Sequence, residues 1–140
     1  MSQKSTPPYL ASPAMALSRN YGETAKDWSS ILRSYGEMVS ANPAFTDISK
    51  LAHALASSEF VSAGLCGLTS HSDLLLGQST RVLDNPYLHI VYDFDLRRFV
   101  LTYVDGSAVP WSRVAEPRDV FDVVARFLTK RARWFTDKQP

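Results

Sequence analysis

The sequence predicts an α+β fold: two N-terminal helices, an antiparallel meander of four or five strands, and a C-terminal helix packed on one face of the sheet. Three observations predict it. Residues 86–111 hold two runs in which apolar and polar or smaller residues alternate, the period of a half-buried strand. The segments on either side carry apolar residues at helical spacing. The 140 residues, 45% apolar and 21% charged, suffice for one packed core and hold no internal repeat.

The central hairpin is the strongest element. Leu88, Ile90, Tyr92 and Phe94 alternate with Tyr87, His89, Val91 and Asp93. Asp95 to Arg98 then supplies a polar turn, and Phe99, Leu101 and Tyr103 alternate with Val100, Thr102 and Val104 on the return. β-Branched and aromatic residues suit a pleated surface. Asp105-Gly106 follows as a tight-turn dipeptide, and Val109 to Val114 forms the next strand, with Pro110 marking its start or an edge.

Taken in order, Met1 to about Asn20 is rich in Ser, Pro and Ala and reads as a flexible tail, with Tyr9 and Leu10 as its anchors and Met15 as an alternative start. Residues 21–140 form the α+β domain. Glu23 to Ala41 is a helix whose stripe is Trp28, Ile31, Leu32, Tyr35, Met38 and Val39, with Thr24 and Asp27 as a capping box. Asn42-Pro43 ends it and opens a second helix reaching Ser57, because Asn caps and Pro suits the first helical position. Phe45, Ile48, Leu51, Ala52 and Leu55 are its stripe. Leu65 to Ser70 reads as a short strand, Thr69 to Asp73 as a turn, and Leu74 to Leu76 as a buried second strand. Glu116-Pro117 opens the last helix, with Val120, Phe121, Val124, Phe127 and Leu128 buried. Acidic residues near its start and basic ones near its end match the helix dipole.

The stretch Gly64-Leu65-Cys66-Gly67-Leu68-Thr69-Ser70-His71-Ser72-Asp73-Leu74, with Asn85 to Ile90, Phe99 to Tyr103 and Trp111-Ser112-Arg113, resembles a group of small bacterial proteins of unknown function. Members share a helical start, a Gly-Leu-x-Gly-x-Thr-Ser-x-x-Asp-Leu stretch and a closing Phe-Leu-rich helix. The resemblance covers roughly Trp28 to Phe135 and implies a bacterial, cytosolic setting, with no activity and no site residues.

A net charge of +1 gives no overall field toward nucleic acid or membrane. The single cysteine, Cys66, excludes a disulfide within the chain and points to a reducing, cytoplasmic compartment. Neither a membrane-spanning run nor a secretory leader stands out. No cofactor and no metal is expected. Cys66, Ser70, His71, Ser72 and Asp73 are the most chemistry-like stretch, as a nucleophile with its base, but adjacent polar residues also make a self-bonded turn. His71, Asp73, His89 and Asp93 lack metal-ligand spacing. Arg126, Lys130 and Arg133 share one predicted helix face, beside Arg131 and Lys138 and with Trp134 to stack, and are candidates to grip phosphate or nucleic acid. Tyr87, Val91, Val100, Thr102 and Val104 line the second face of the hairpin. If the helices cover only one face, Tyr87, Val91, Val100 and Thr102, with Trp111, are interface candidates; otherwise the chain itself buries them.

The leading expectation is a small non-catalytic protein that binds another protein, of the toxin-immunity or accessory type, a homodimer being one form of partnership. Phosphate or nucleic-acid binding by the basic helix is the second, and an enzyme using Cys66, His71 or Asp73 the third.

Overall fold

A computed structural model describes residues 24–135 of the chain. The expectations for Met1 to Asn20, for Glu23 and for Lys138 lie outside the described residues. The elements run in order as α1 (Trp28–Ala41), a 3-10 turn (Pro43–Phe45), α2 (Thr46–Ala56), α3 (Glu59–Ser62), β1 (Cys66–Ser70), β2 (Asp73–Gly77), a second 3-10 turn (Val82–Asp84), β3 (Tyr87–Asp93), β4 (Arg98–Val104), β5 (Ser112–Ala115), and α4 (Val120–Arg126), which continues into a π turn (Phe127–Arg131). The five strands form one antiparallel sheet in sequence order, so the α+β meander with helices on one side is the observed fold.

The alternation read from the sequence sets the layers. In β3 and β4, seven residue pairs run from Tyr87↔Val104 to Asp93↔Arg98. Leu88, Ile90, Tyr92, Phe99 and Leu101 point to one side, where they pack with Ile31 and Tyr35 of α1, Ile48, Leu51, Ala52 and Leu55 of α2, and Val120, Val124, Phe127 and Leu128 at the C-terminal end. All the described helices therefore lie on this face. Leu74-Leu75-Leu76 is buried on both sides: Leu74 and Leu76 join that core, while Leu75 joins Leu68, Val82 and Tyr87 in a smaller cluster on the opposite face.

Several boundaries differ from the sequence reading. Helix α1 begins at Trp28, so Thr24 to Asp27 lie outside it, and Thr24 with Asp27 forms no capping box; Asp27 caps without a side-chain bond. Residues 25 and 26 are instead drawn onto the sheet: Lys26 N–H donates to Gly67 O (2.9 Å) and Ala25 N–H to Thr80 O (2.7 Å). The second helix opens as a 3-10 turn because the Asn42 side chain accepts from Ala44 N–H (3.0 Å), and its α-helical part starts at Thr46. The last helix starts three residues later than Pro117, since Glu116 to Asp119 closes a separate turn, with Asp119 N–H donating to Glu116 O (2.9 Å).

Asp105-Gly106 does not connect two strands tightly. Asp105 folds its carboxylate onto Ser107 N–H (3.0 Å) and Gly106 takes φ +90°, but pairing resumes only where Tyr103 N–H donates to Trp111 O (2.9 Å). The fifth strand is thus four residues, Ser112–Ala115, and Val109 is exposed in the loop.

Two long-range hydrogen bonds tie α1 to the sheet around β1. Trp28 Nε1–H donates to Leu65 O (3.1 Å), and the Tyr35 hydroxyl donates to Ser72 O (2.9 Å) at the β1–β2 turn. α1 crosses β1 at Gly67, where a Cβ would lie 2.9 Å from the Trp28 ring and 3.0 Å from Ile31 Cδ1. The held indole gives little room to move. Gly67→Ala is therefore expected to destabilise the fold by about 1–3 kcal/mol, the usual range for overpacking, as a lowered denaturant midpoint with an unchanged slope.

Candidate functional site: the uncovered half of the sheet

The face opposite the helices divides in two. Near β1, the turn Val82–Asp84 lays Val82 and Leu83 across it, with Ala25, so Leu68, Leu75 and Tyr87 are covered. Toward β5 no described residue lies over it, and the register sets out two rows of side chains: His89, Thr102 and Ser112 in one, Val91, Val100 and Val114 in the next. Val91, Val100, Thr102 and Val104 are half-buried and Val114 is 47% exposed. Three valines side by side on a solvent-facing row form a flat apolar strip of the kind proteins use for association.

Polar groups frame this strip. His89 Nε2 lies 2.8 Å from Asp73 Oδ2 across the β2–β3 ladder, both side chains 30% exposed. At the other end Arg98 faces Asp93 across β3–β4. Asp93 turns its carboxylate to Asp95 N–H (3.0 Å) and Leu96 N–H (3.1 Å), closing the hairpin turn, and Arg98 Nε is left buried with no described acceptor. A buried donor without a partner carries a desolvation cost that an incoming acceptor would remove.

The interface candidates fall in three places. Val91, Val100 and Thr102 lie together on the strip. Tyr87 belongs to the small cluster and is only 5% exposed. Trp111 is on the helix side, because it stands opposite Tyr103; its ring packs 4.7 Å from Phe127. Val114, Ser112 and Arg98 were missed in the sequence. β5 is too short to show alternation, and Arg98 reads as part of a polar turn.

The anion-binding candidates do not share one helix face as expected. The α-helical geometry ends at Arg126, Lys130 lies in the widened π turn, and Arg133 is beyond it with φ +58°. Arg126 borders a groove of about 370 Å³ shared with Glu116, Asp119 and Asp122, so acidic side chains stand among the basic ones. Trp134 is engaged edge-on with Phe127 and Tyr103, both at 6.1 Å.

The chemistry-like stretch is spread out. Cys66 and Ser70 occupy opposite ends of β1, roughly 13 Å apart at a strand's rise per residue. The Cys66 thiol donates to Gly64 O (3.4 Å), and burial pushes its pKa up, away from the thiolate. His71 is exposed at φ +59° in the β1–β2 turn. Of the four residues weighed as metal ligands, Asp73 and His89 meet, His71 stays in its turn and Asp93 serves the hairpin. Among the described residues no group of three or more His, Cys, Asp or Glu side chains is placed to hold a metal ion, and no helix is long and apolar enough to cross a membrane.

No protein-family model, curated protein or solved structure matches this chain.

One further surface lies at the hairpin tip. A shallow depression of about 430 Å³ is lined by Asn42, Pro43, Thr46, Asp47, Tyr92 and Arg97, with Phe94 set edge-on to Phe45 and Tyr92 at 5.1 Å. The Tyr92 hydroxyl donates to Asp47 Oδ2 (2.8 Å). Burial, then the bond to Asp47 and its charge, raise the Tyr92 phenol to about 12, against a counter-pull from Arg97. Burial, and secondarily the charge of Asp73, raise Tyr35 in the same direction. A raised folded-state pKa contributes stability that is complete below the unfolded value of about 10 and is lost as pH climbs through the folded one. Stability measured by denaturant melts is expected to hold up to about pH 10 and to fall from there toward pH 12, and Tyr92→Phe is expected to flatten part of that fall.

Proposed function

We propose that this chain works by binding another protein through the uncovered half of its sheet, without bond-making chemistry of its own. The observation that carries the reading is the row Val91, Val100 and Val114, apolar and open beside a fully packed helix face. The partner's chemistry follows from the strip: a complementary apolar surface, with a carboxylate placed to accept from Arg98 at its end. The separation of Cys66 from Ser70 and His71 supports a binding role over catalysis. Neutralising a toxin or escorting a client are forms of this role. The lone cysteine supports a cytoplasmic setting.

The test places a photo-crosslinking residue at position 100, or at the exposed Glu37 of α1 as control, in the native host. A defined adduct is expected from position 100 alone. The identified partner, purified, is expected to bind about tenfold or more weakly to Val100→Asp, as truncated hot spots do. The same variant is expected to cost on the order of 1 kcal/mol of stability, as a half-exposed site should. A loss of several kcal/mol, or equal crosslinking from both positions, would overturn the reading.

A further inference from the structure

The two edges of the sheet are treated differently. β1 is covered over its first half: Lys26 bridges to Gly67, and the Trp28 indole bonds Leu65 O just before the strand. β5 is the other edge, and no described residue pairs with its outer side. An exposed row of backbone donors and acceptors is a template for another strand.

Which groups face outward follows from the ladder. Tyr103 N–H donates to Trp111 O, so Trp111 directs its backbone groups toward β4. In an antiparallel pair these directions alternate, so Arg113 and Ala115 also face β4, while Ser112 and Val114 direct their N–H and C=O outward. Side-chain directions are equally fixed. Arg113 stands opposite Leu101 on the helix side, and Val114 stands opposite Val100 on the open side.

The strip beside this edge carries both signs of charge. Arg113 and Arg126 share their groove with Glu116, Asp119 and Asp122, between β5 and the start of α4. A surface with both signs in one groove is complementary to itself, and an edge that meets its own copy closes with two-fold symmetry. We propose that β5 is the pairing edge of a symmetric dimer, in which two copies align their β5 strands antiparallel with Val114 opposite Val114.

Charge and hydrogen bonding select that register. Pairing Arg113 with Arg113 would also align outward groups, but it sets like charges directly across the ladder, which is destabilising. With Val114 at the centre, the two Val114 residues exchange both backbone bonds and Ser112 meets Glu116. Arg113 of each copy then stands opposite Ala115 of the other, over the groove that holds Glu116, Asp119 and Asp122. β5 is short, and brevity is one way an edge is blunted. Brevity here sets the strength: a four-residue strand gives a small interface and hence a weak, concentration-dependent dimer. The proposal does not depend on whether a partner occupies the open face.

The test is the mass in solution, by sedimentation or light scattering, of the full chain across a concentration series. The wild type is expected to rise from one-chain to two-chain mass. Val114→Pro removes an outward N–H and leaves the bonds to β4 intact; it is expected to stay at one-chain mass with a wild-type circular dichroism spectrum. Arg113→Glu, at an exposed side chain, is expected to raise the dissociation constant about tenfold or more, since its charge then opposes the acidic groove. A wild type that stays at one-chain mass at every concentration overturns the proposal. So does a Val114→Pro protein that dimerises like wild type, and an Arg113→Glu protein with an unchanged dissociation constant overturns the register.

Discussion

The β3–β4 ladder is the constraint on which the other elements depend. Its seven pairs fix which side chains share a face, and a slip of one residue would exchange those faces completely. Leu88, Ile90, Phe99 and Leu101 are fully buried on one side, where α1, α2 and α4 must come together to cover them. Val91, Val100 and Thr102 are then committed to the other side. The position of the strip is thus a consequence of the register that builds the core, since the same pairing that turns Leu88, Ile90, Phe99 and Leu101 inward turns these side chains to the opposite face.

Among the described residues the helices all pack on one face, and the opposite face receives the turn Val82–Asp84 and the segment at Ala25. These reach Leu68, Leu75, Tyr87 and Val104 at the end of β4, and leave Val91, Val100 and Val114 outside the cluster. The hairpin tip shows the same limit: Phe94 and Leu96 pass the end of α2 and are left exposed at 41% and 58%, with Phe45 as the aromatic neighbour of Phe94.

The hairpin and the helix stripes were legible in the sequence because each rests on a local period. Tyr35, Ile48, Leu55 and Val124 occur at helical spacing and are buried as that spacing requires. What was not legible depended on competition between distant segments. Lys26 is taken from the expected first helix by a backbone bond to Gly67, forty-one residues away, and no local signal announces it. Asp105-Gly106 has the composition of a tight turn, yet its own bond to Ser107 forms a local bend, and the chain pairs again only at Trp111. The basic C-terminus reads as one stripe only if the helix stays α-helical. The π turn from Phe127 breaks that phase while both Phe127 and Leu128 stay buried. The Asp73–His89 contact joins residues sixteen apart, and it was reachable only as one of several combinations until the β2–β3 register chose it.

The edge and the face are geometrically linked. When antiparallel strands pair across a sheet edge, residues directly opposite point to the same side. Two sheets joined at Val114 would therefore present their uncovered halves in one plane, and Val91, Val100 and Val114 of one copy would continue into Val114, Val100 and Val91 of the next. A flat strip three valines wide would become one of six, ended on each side by the Asp73–His89 pair and flanked by Arg98. Doubling this face by symmetry demands only that β5 remain short, open and self-complementary in charge.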